Sequence, residues 1–442
     1  MKKFYKGVLL LALAAFLGES LEFLVNMVLA KQLGEVGLGL YMSIMPVIFL
    51  VVIIASLELP VSVSKFVAEK EQKYHVSMLR HTFKLTLKFT IIYLLLAAIV
   101  LPNIPVFQSY HPLVKWLVLL LIPIISFTSI VRGYFMGKQM MGKIAFSNFL
   151  RKAVQLVLLT VVYYLFQFSL QTSILIAICT FIGTELVVCL YLVLMYFTQW
   201  RKMKTEPNSE LAKSTVHASL LQVSIPTTAM RIFHSVTHAV QPFLIKIALL
   251  KAGFTETMAL EQFGLLAGVA ITIGFFPAFI AHSLMIVLIP TVSEAHSKGD
   301  HVKLQKLLQQ VMFITFLYGI PAVIVCYIFA DPLTHIFFEN SSASTYLQLL
   351  WPNFLFNFIV IPLQAFMIGL GLIKDAFIHI VWSHVVGFAL IFFLGSMSSF
   401  NMGGVIIGMN TGTVLLMMMH YLTVCNKIGV SFTLQVPKNE WR

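Results

Sequence analysis

RKMKTEPNSELAKST, residues 201–215, is the longest polar interruption in a 442-residue chain otherwise built from apolar runs. It carries Arg201, Lys202, Lys204 and Lys213, and similar basic loops recur on both sides of it. A stretch of at least about 18 apolar residues is long enough to cross the hydrocarbon of a bilayer as a helix. Before the loop, such spans are expected at roughly 7–30, 38–60, 86–101, 113–131, 149–167 and 173–198. After it, they are expected at roughly 218–248, 263–289, 309–330, 347–371, 377–397 and 403–424. The chain therefore reads as an all-α, polytopic membrane protein of about 12 transmembrane helices. The expected organisation is a six-helix lobe (1–200), a cytoplasmic linker (201–216) and a second six-helix lobe (217–442).

Charge placement orients these spans. About 25 of the 30 Lys and Arg residues fall at the two termini or around the loops that follow even-numbered spans. The odd-numbered loops hold only Lys31 and Lys251, with Lys115 at the outer end of the fourth span. Positive loops stay in the cytoplasm, so both termini are expected inside, the C-terminus beside Lys427, Lys438 and Arg442. Tyr5, Trp116 and Trp200 stand near span ends, where aromatic rings favour the interface. The N-terminal pattern of Lys2, Lys3 and Lys6 followed by an apolar run resembles a secretory signal, but the run continues past Glu19 and Glu22 to Ala30. It reads as an uncleaved first span.

Composition narrows the function classes. Hydrophobic residues make up 59% and charged residues 11%, against roughly 25% charged in soluble domains. The net charge of +13 is the sum of the inside loops. It would favour an anionic leaflet and is not a nucleic-acid signal. Cys179, Cys189, Cys326 and Cys425 lie within spans or at a span end, with no metal-binding or disulfide spacing. The chain contains no Walker A, GxSxG, HExxH or DxD-rich segment, and no loop could house a catalytic domain. No enzyme activity, cofactor or metal is expected, and energy must come from an ion gradient, the membrane potential or the substrate's own gradient.

The two halves show self-similarity. LELPVSVSKFVAE (57–69) closes the second span and VLIPTVSEAHSKGD (287–300) the eighth, with Pro60 and Ser64 matched by Pro290 and Ser293. GYFMGKQMMGKIA (133–145) and AFMIGLGLIKDA (365–376) end the fourth span of each half. Six spans per half give both halves the same orientation, a parallel repeat of the kind many transporters use.

A polar residue in hydrocarbon is costly, so it normally faces a bundle interior or a wet cavity. The first span of each half concentrates such residues. Ala12, Ala15, Glu19, Glu22 and Asn26 follow one another at helical spacing. Ser224, Thr227, Arg231, His234, His238 and Gln241 do the same in span seven. These two faces are expected to flank one central cavity, with Arg231 as an anion anchor, because a planar guanidinium with five donors suits phosphate. Glu19 and Glu22 could pair with Arg231, bind a cation or carry a proton. The alternative is a buried ion pair that only orients helices. Glu185 reads equally as a packing or a functional residue, Lys246 as a snorkelling residue, and Asn353, Asn357 and Gln364 as interhelical hydrogen-bonding groups. His282, His379, His384 and His420 show no metal spacing.

Three segments carry a resemblance: LPVSVSKFVAE (Leu59–Glu69), RGYFMGKQMMGKIAFSNFLRK (132–152) and FGLLAGVAITIGFFPAFIAHSLMIVLIPTVSEAHSKGD (263–300). They are similar to the stage V sporulation protein B group of polysaccharide exporters. That group belongs to the multidrug/oligosaccharidyl-lipid/polysaccharide exporter superfamily, which also contains the lipid II flippase. The match departs from the group's pattern where a glutamate would precede the fifth span; Arg151 stands there. Twelve spans also fall short of the fourteen common in the group, which puts an extra groove for a polyprenyl tail in doubt. The resemblance implies two six-helix lobes forming a V-shaped, alternating-access transporter, with spans one, two, seven and eight lining the cavity. It implies a lipid-linked saccharide as substrate, a polyprenyl-pyrophosphate cell-wall or spore-envelope precursor, in an endospore-forming bacterium. The expected partners are that substrate and membrane lipids, with proton or sodium coupling left open by Glu19 and Glu22. Two other readings stand beside this one: a non-transporting spore-membrane scaffold, and a cation-coupled drug or metabolite antiporter.

Overall fold

The computed structural model describes residues 2–204, 209–339 and 342–431, with side chains throughout except at 2–14, 201–204, 223, 226 and 230. Side-chain expectations for the N-terminal lysines, Tyr5 and Ala12, and any for Lys438 and Arg442, lie outside the described residues. Among those residues the secondary structure is helical. The helices are α1 (Lys2–Ser56), α2 (Leu59–Glu69), α3 (His75–Val100), α4 (Leu113–Gly137), α5 (Met141–Leu165), α6 (Leu170–Lys204), α7 (Lys213–Lys251) and α8 (Glu256–Gly264). They continue as α9 (Ile271–Phe275), α10 (Ala278–Ser297), α11 (His301–Ile328), α12 (Ala330–His335), α13 (Ala343–Leu349), α14 (Trp351–Gly369), α15 (Ile373–Gly395) and α16 (Asn401–Ile428).

Among the described residues, twelve helical stretches are long and apolar enough to cross a membrane. The number equals the expected count, but the partition differs in two places. Gly34, at φ 66° and ψ 178°, divides α1 into two limbs that coincide with the first and second spans. The expected eighth span is instead divided: a π-helical turn, Leu265–Ala270, joins α8 to α9, and the chain breaks at Phe276–Pro277 before α10. A proline has no N–H to continue the helical ladder, so the break falls at Pro277.

By packing, the chain forms two compact units, one of residues 40–240 and one of residues 1–39 with 241–442. The expected lobes and these units share most of their residues and differ over the first span and residues 201–240. In the 40–240 unit α4 is the hub, packed against α2, α3, α5 and α6. In the other unit α14 holds the same position among α10, α11, α15 and α16.

The repeat is written in the backbone. After α4, Lys138 N donates to Tyr134 O (3.0 Å), Gln139 N to Met136 O (2.9 Å) and Met140 N to Phe135 O (2.9 Å). After α14, Leu370 N donates to Phe366 O (2.8 Å), Gly371 N to Ile368 O (3.0 Å) and Leu372 N to Met367 O (2.8 Å). Both turns close through a residue at positive φ, Gln139 at 56° and Gly371 at 76°, the usual left-handed helix stop. The hub helices also meet their partners through glycine. A Cβ on Gly133 would stand 2.8 Å from Val63 Cβ, and one on Gly137 would stand 2.7 Å from Ser64 O. A Cβ on Gly369 would stand 2.8 Å from Val292 Cβ. Small residues that let helix backbones approach closely are the main packing device inside a bilayer, where lipid tails remove the hydrophobic driving force.

Candidate functional site

The 40–240 unit places Arg231 against an acid that sequence reading passed over. Between α1 and α2 the helix breaks at Leu57 and Glu58, both at positive φ (48° and 47°). A left-handed non-glycine residue costs roughly 1–2 kcal/mol, so the surrounding structure must hold this break in place. Three contacts do so. Ser126 Oγ of α4 reaches Ala55 O (2.9 Å), Glu58 O caps the start of α2 by accepting from Val61 N (3.0 Å), and Glu58 N donates to Ser56 Oγ (3.4 Å). The break carries the Glu58 side chain into the protein, where it is 5% exposed. Arg231 Nη1 of α7 donates to its Oε1 at 2.6 Å. Further along the same two helices, Ser224 Oγ and Ser62 Oγ are joined at 2.8 Å. Two polar pairs thus tie α7 to α2.

The pair is asymmetric. Glu58 is buried, whereas the Arg231 side chain is 60% exposed. A guanidinium has five N–H donors in a rigid fork, and Nη1 is the donor engaged by Glu58. The rest of the side chain is largely exposed. His234 and His238 continue the same face of α7 with their rings 4.5 Å apart; both are exposed. Thr237 is turned inward, its hydroxyl donating to His234 O (2.7 Å). The arrangement is an exposed cation, anchored on one side by a buried carboxylate, with two imidazoles above it. It can bind an anion without giving up its structural partner.

Glu19, Glu22 and Asn26 lie half-buried on the first limb of α1, in the other unit. Glu19 is close enough to act electrostatically on His282 of α10. Phe16 and Phe23 pack edge-on against Phe276 from the same limb, with ring centroids 5.9 and 5.7 Å away. Glu58, a member of the quoted 57–69 segment, had one signal: it is an acid two residues before a proline at the end of an apolar span.

Other polar groups have structural partners. Arg151, which stands where the resemblance leads one to expect an acid, bonds Glu185 of α6 at 3.0 Å. Arg132 of α4 lies in the field of both, and its Nε has no hydrogen-bond partner. Glu185 is therefore the acid that serves this basic cluster. Lys246 pairs with Glu256. Asn353 donates to Thr413 Oγ1 (2.8 Å) and Met409 O (3.2 Å), tying α14 to α16. His379 and His420, which read as scattered in the sequence, meet in a buried contact, Nδ1 to Nδ1 at 3.1 Å. No group of three or more His, Cys, Asp or Glu side chains suited to a metal occurs among the described residues.

Comparison with known proteins gives this geometry a family. The profile of the polysaccharide biosynthesis protein family matches residues 4–253, and that of the MatE family residues 265–390. The chain belongs to the polysaccharide biosynthesis protein family. It is 52% identical to sporulation protein YkvU of Bacillus subtilis (strain 168) over 98% of this chain and 97% of that protein. It is 30% identical to stage V sporulation protein B of the same organism, over 98% of this chain and 85% of the relative. A third relative there, lipid II flippase MurJ, is 22% identical over 77% of this chain and 67% of its own length. Among solved structures, an inward-facing multidrug resistance MATE family transporter of the MOP superfamily superposes with a TM-score of 0.73. That match is at 16% identity and covers 93% of this chain and 94% of the other. A MOP superfamily transporter from Pyrococcus furiosus, described as having reversed binding-pocket polarity, superposes at 0.68 and 15% identity over 96% of both chains. By family this chain is a polysaccharide biosynthesis protein, and by fold it resembles the MATE transporters of known structure, with twelve stretches among the described residues long and apolar enough to cross a membrane.

Proposed function

We propose that this transporter moves a lipid-linked saccharide, a polyprenyl-pyrophosphate precursor of the cell wall or spore envelope, out across the cytoplasmic membrane by alternating access. The observation that carries the proposal is Arg231, a cation held in a spanning helix by buried Glu58 while most of its side chain stays exposed. An intramembrane ionisable group is expensive to keep and marks a substrate path by default. Bidentate phosphate recognition is what a guanidinium does better than an ammonium. In this reading Arg231 receives the pyrophosphate, with His234 and His238 beside it. Glu19, Glu22 and Asn26 contact the saccharide or carry a coupling proton or sodium ion. The likeness to stage V sporulation protein B and to lipid II flippase MurJ supports this substrate class, and the likeness to two sporulation proteins supports a role in sporulation or germination.

The direction follows from charge. With both termini inside, as the basic loops favour, the substrate's anionic headgroup leaves an inside-negative compartment. Each charge gains about 2.3 kcal/mol per 100 mV, so a headgroup with two charges gains roughly twice that. The basic face of α7 disfavours the cation antiporter reading, since a cationic drug would have to approach Arg231.

The test is complementation of a deletion strain with wild type, Arg231→Ala and Glu19→Gln. The readouts are spore heat resistance, cortex content and germination, with membrane levels of each protein measured in parallel. Loss of rescue by a normally inserted Arg231→Ala variant supports the anion-anchor reading. Full rescue by both variants would overturn the anion-anchor reading in favour of a scaffold or of a cavity organised around other residues.

A further inference from the structure

The 40–240 unit contains a second binding feature, away from Arg231. A cavity of about 360 Å³ opens between α3, α4 and α6, within the roughly 300–1,000 Å³ range of small-ligand pockets. Its floor and walls are aromatic and aliphatic. Phe83 and Phe127 stack at 5.3 Å, and Tyr196 lies against Trp200 at 5.7 Å. Phe83 and Phe197 are more than half exposed. The charged lining is confined to Arg80 and Lys84, one turn apart on α3. Both are exposed cations near the start of α3, the end held to the chain before α7 by Leu211 N donating to Ser77 Oγ at 3.0 Å. No acid among the described residues pairs with Lys84. Arg80 meets Glu210 only at 3.7 Å, and that glutamate is 90% exposed, a pairing of little strength in water.

An aromatic-lined slot with two cations at one mouth and no acid inside is complementary to a molecule with an apolar chain and an anionic phosphate head. We propose that this groove binds an anionic phospholipid of the inner leaflet, its acyl chain between Phe83, Phe127 and Phe197 and its phosphate on Arg80 and Lys84. The site uses none of the α7 polar face, and the inference does not depend on what the protein transports. Lysine and arginine at helix ends commonly snorkel to the headgroup level without selecting a lipid. Here they stand over a shaped cavity, which turns general attraction into a selective site.

Trp200 lines the groove and reports on its occupant. The full-length protein, reconstituted in phosphatidylcholine vesicles, is titrated with phosphatidylglycerol or phosphatidylcholine brominated on the acyl chain. The Trp200 signal is taken as the difference from a Trp200→Phe variant. Each basic residue near an anionic lipid surface contributes about 1 kcal/mol, or about fivefold in occupancy. Brominated phosphatidylglycerol should therefore quench Trp200 at a five- to thirtyfold lower mole fraction than brominated phosphatidylcholine. Arg80→Gln with Lys84→Gln should abolish that preference, each single variant should weaken it, and Lys115→Gln, outside the groove, should leave it intact. Equal quenching by the two lipids would overturn the proposal, as would a preference that survives the double substitution. Polyprenyl phosphate displacing the brominated phosphatidylglycerol at a lower mole fraction than phosphatidylglycerol itself would overturn the phospholipid as occupant.

Discussion

Removing either member of the Arg231–Glu58 pair should destabilise the protein, and the two removals should be unequal. Two unit charges about 4 Å apart attract by about 4 kcal/mol at an effective dielectric of 20. The net coupling must be smaller, because Arg231 is 60% exposed and solvent screens it, while desolvation of the buried carboxylate opposes the gain. About 1–2 kcal/mol of coupling remains. The single variants differ in what they leave behind. Glu58→Gln leaves an arginine that can turn to water, a cost of about 1 kcal/mol. Arg231→Gln leaves a carboxylate that is 5% exposed with no cation, a cost of about 3 kcal/mol. The double variant should cost less than the sum. The assay is a double-mutant cycle on purified protein, with unfolding followed by helical circular dichroism in a mixed-micelle denaturant titration. Equal losses from the two single variants, or additivity within about 0.5 kcal/mol, would refute the asymmetry that assigns Arg231 an open edge.

Three further outcomes follow from the packing. Gly137→Ala should lower the unfolding midpoint by the equivalent of about 1–3 kcal/mol, because its Cβ would meet Ser64 O at 2.7 Å. Gly142→Ala, with nothing within 4 Å, should be neutral in the same titration. In the paired turns, Gln139→Gly should stabilise by about 1 kcal/mol by relieving a left-handed side chain, and Gly371→Gln should destabilise by a similar amount. Glu185→Gln should cost more than Arg151→Gln in a thermal scan, because it strips the acid from two arginines, whereas the arginine variant leaves Arg132 beside Glu185. Equal melting temperatures for those two variants would show that Arg132 does not share the acid.

Much of this architecture was legible in the sequence, because a bilayer imposes simple rules. Length and apolarity set the spans, and their number among the described residues equals the expected twelve. The matched segments 133–145 and 365–376 end in turns with the same hydrogen bonds, so the repeat seen in letters is a repeat of backbone. The breaks were harder to see. Pro277 was visible, but a proline inside an apolar run permits either a kink or a stop, and the neighbours that settle it come from elsewhere in the fold. Glu58 was missed for a related reason. An acid at the end of a span reads as a loop residue until a left-handed break at Leu57–Glu58 turns it inward. Arg231 was legible because arginine in mid-span is costly wherever it points. Its partner was not, because spacing along one helix says nothing of the helix opposite. The Arg151–Glu185 pair shows the same limit: the arginine read as the loss of an acid, while the acid stood on α6.

If Arg231 anchors a pyrophosphate during transport, its loss must show in flipping itself. Wild type, Arg231→Lys and Arg231→Ala are reconstituted in vesicles with a fluorescent polyprenyl-pyrophosphate saccharide, and its appearance in the opposite leaflet is timed with and without an imposed potential. Flipping by wild type should accelerate with the potential, Arg231→Lys should keep partial activity, and Arg231→Ala should lose at least about tenfold, the equivalent of about 1.4 kcal/mol or more of lost anion binding. Flipping by Arg231→Ala at the wild-type rate would contradict that role.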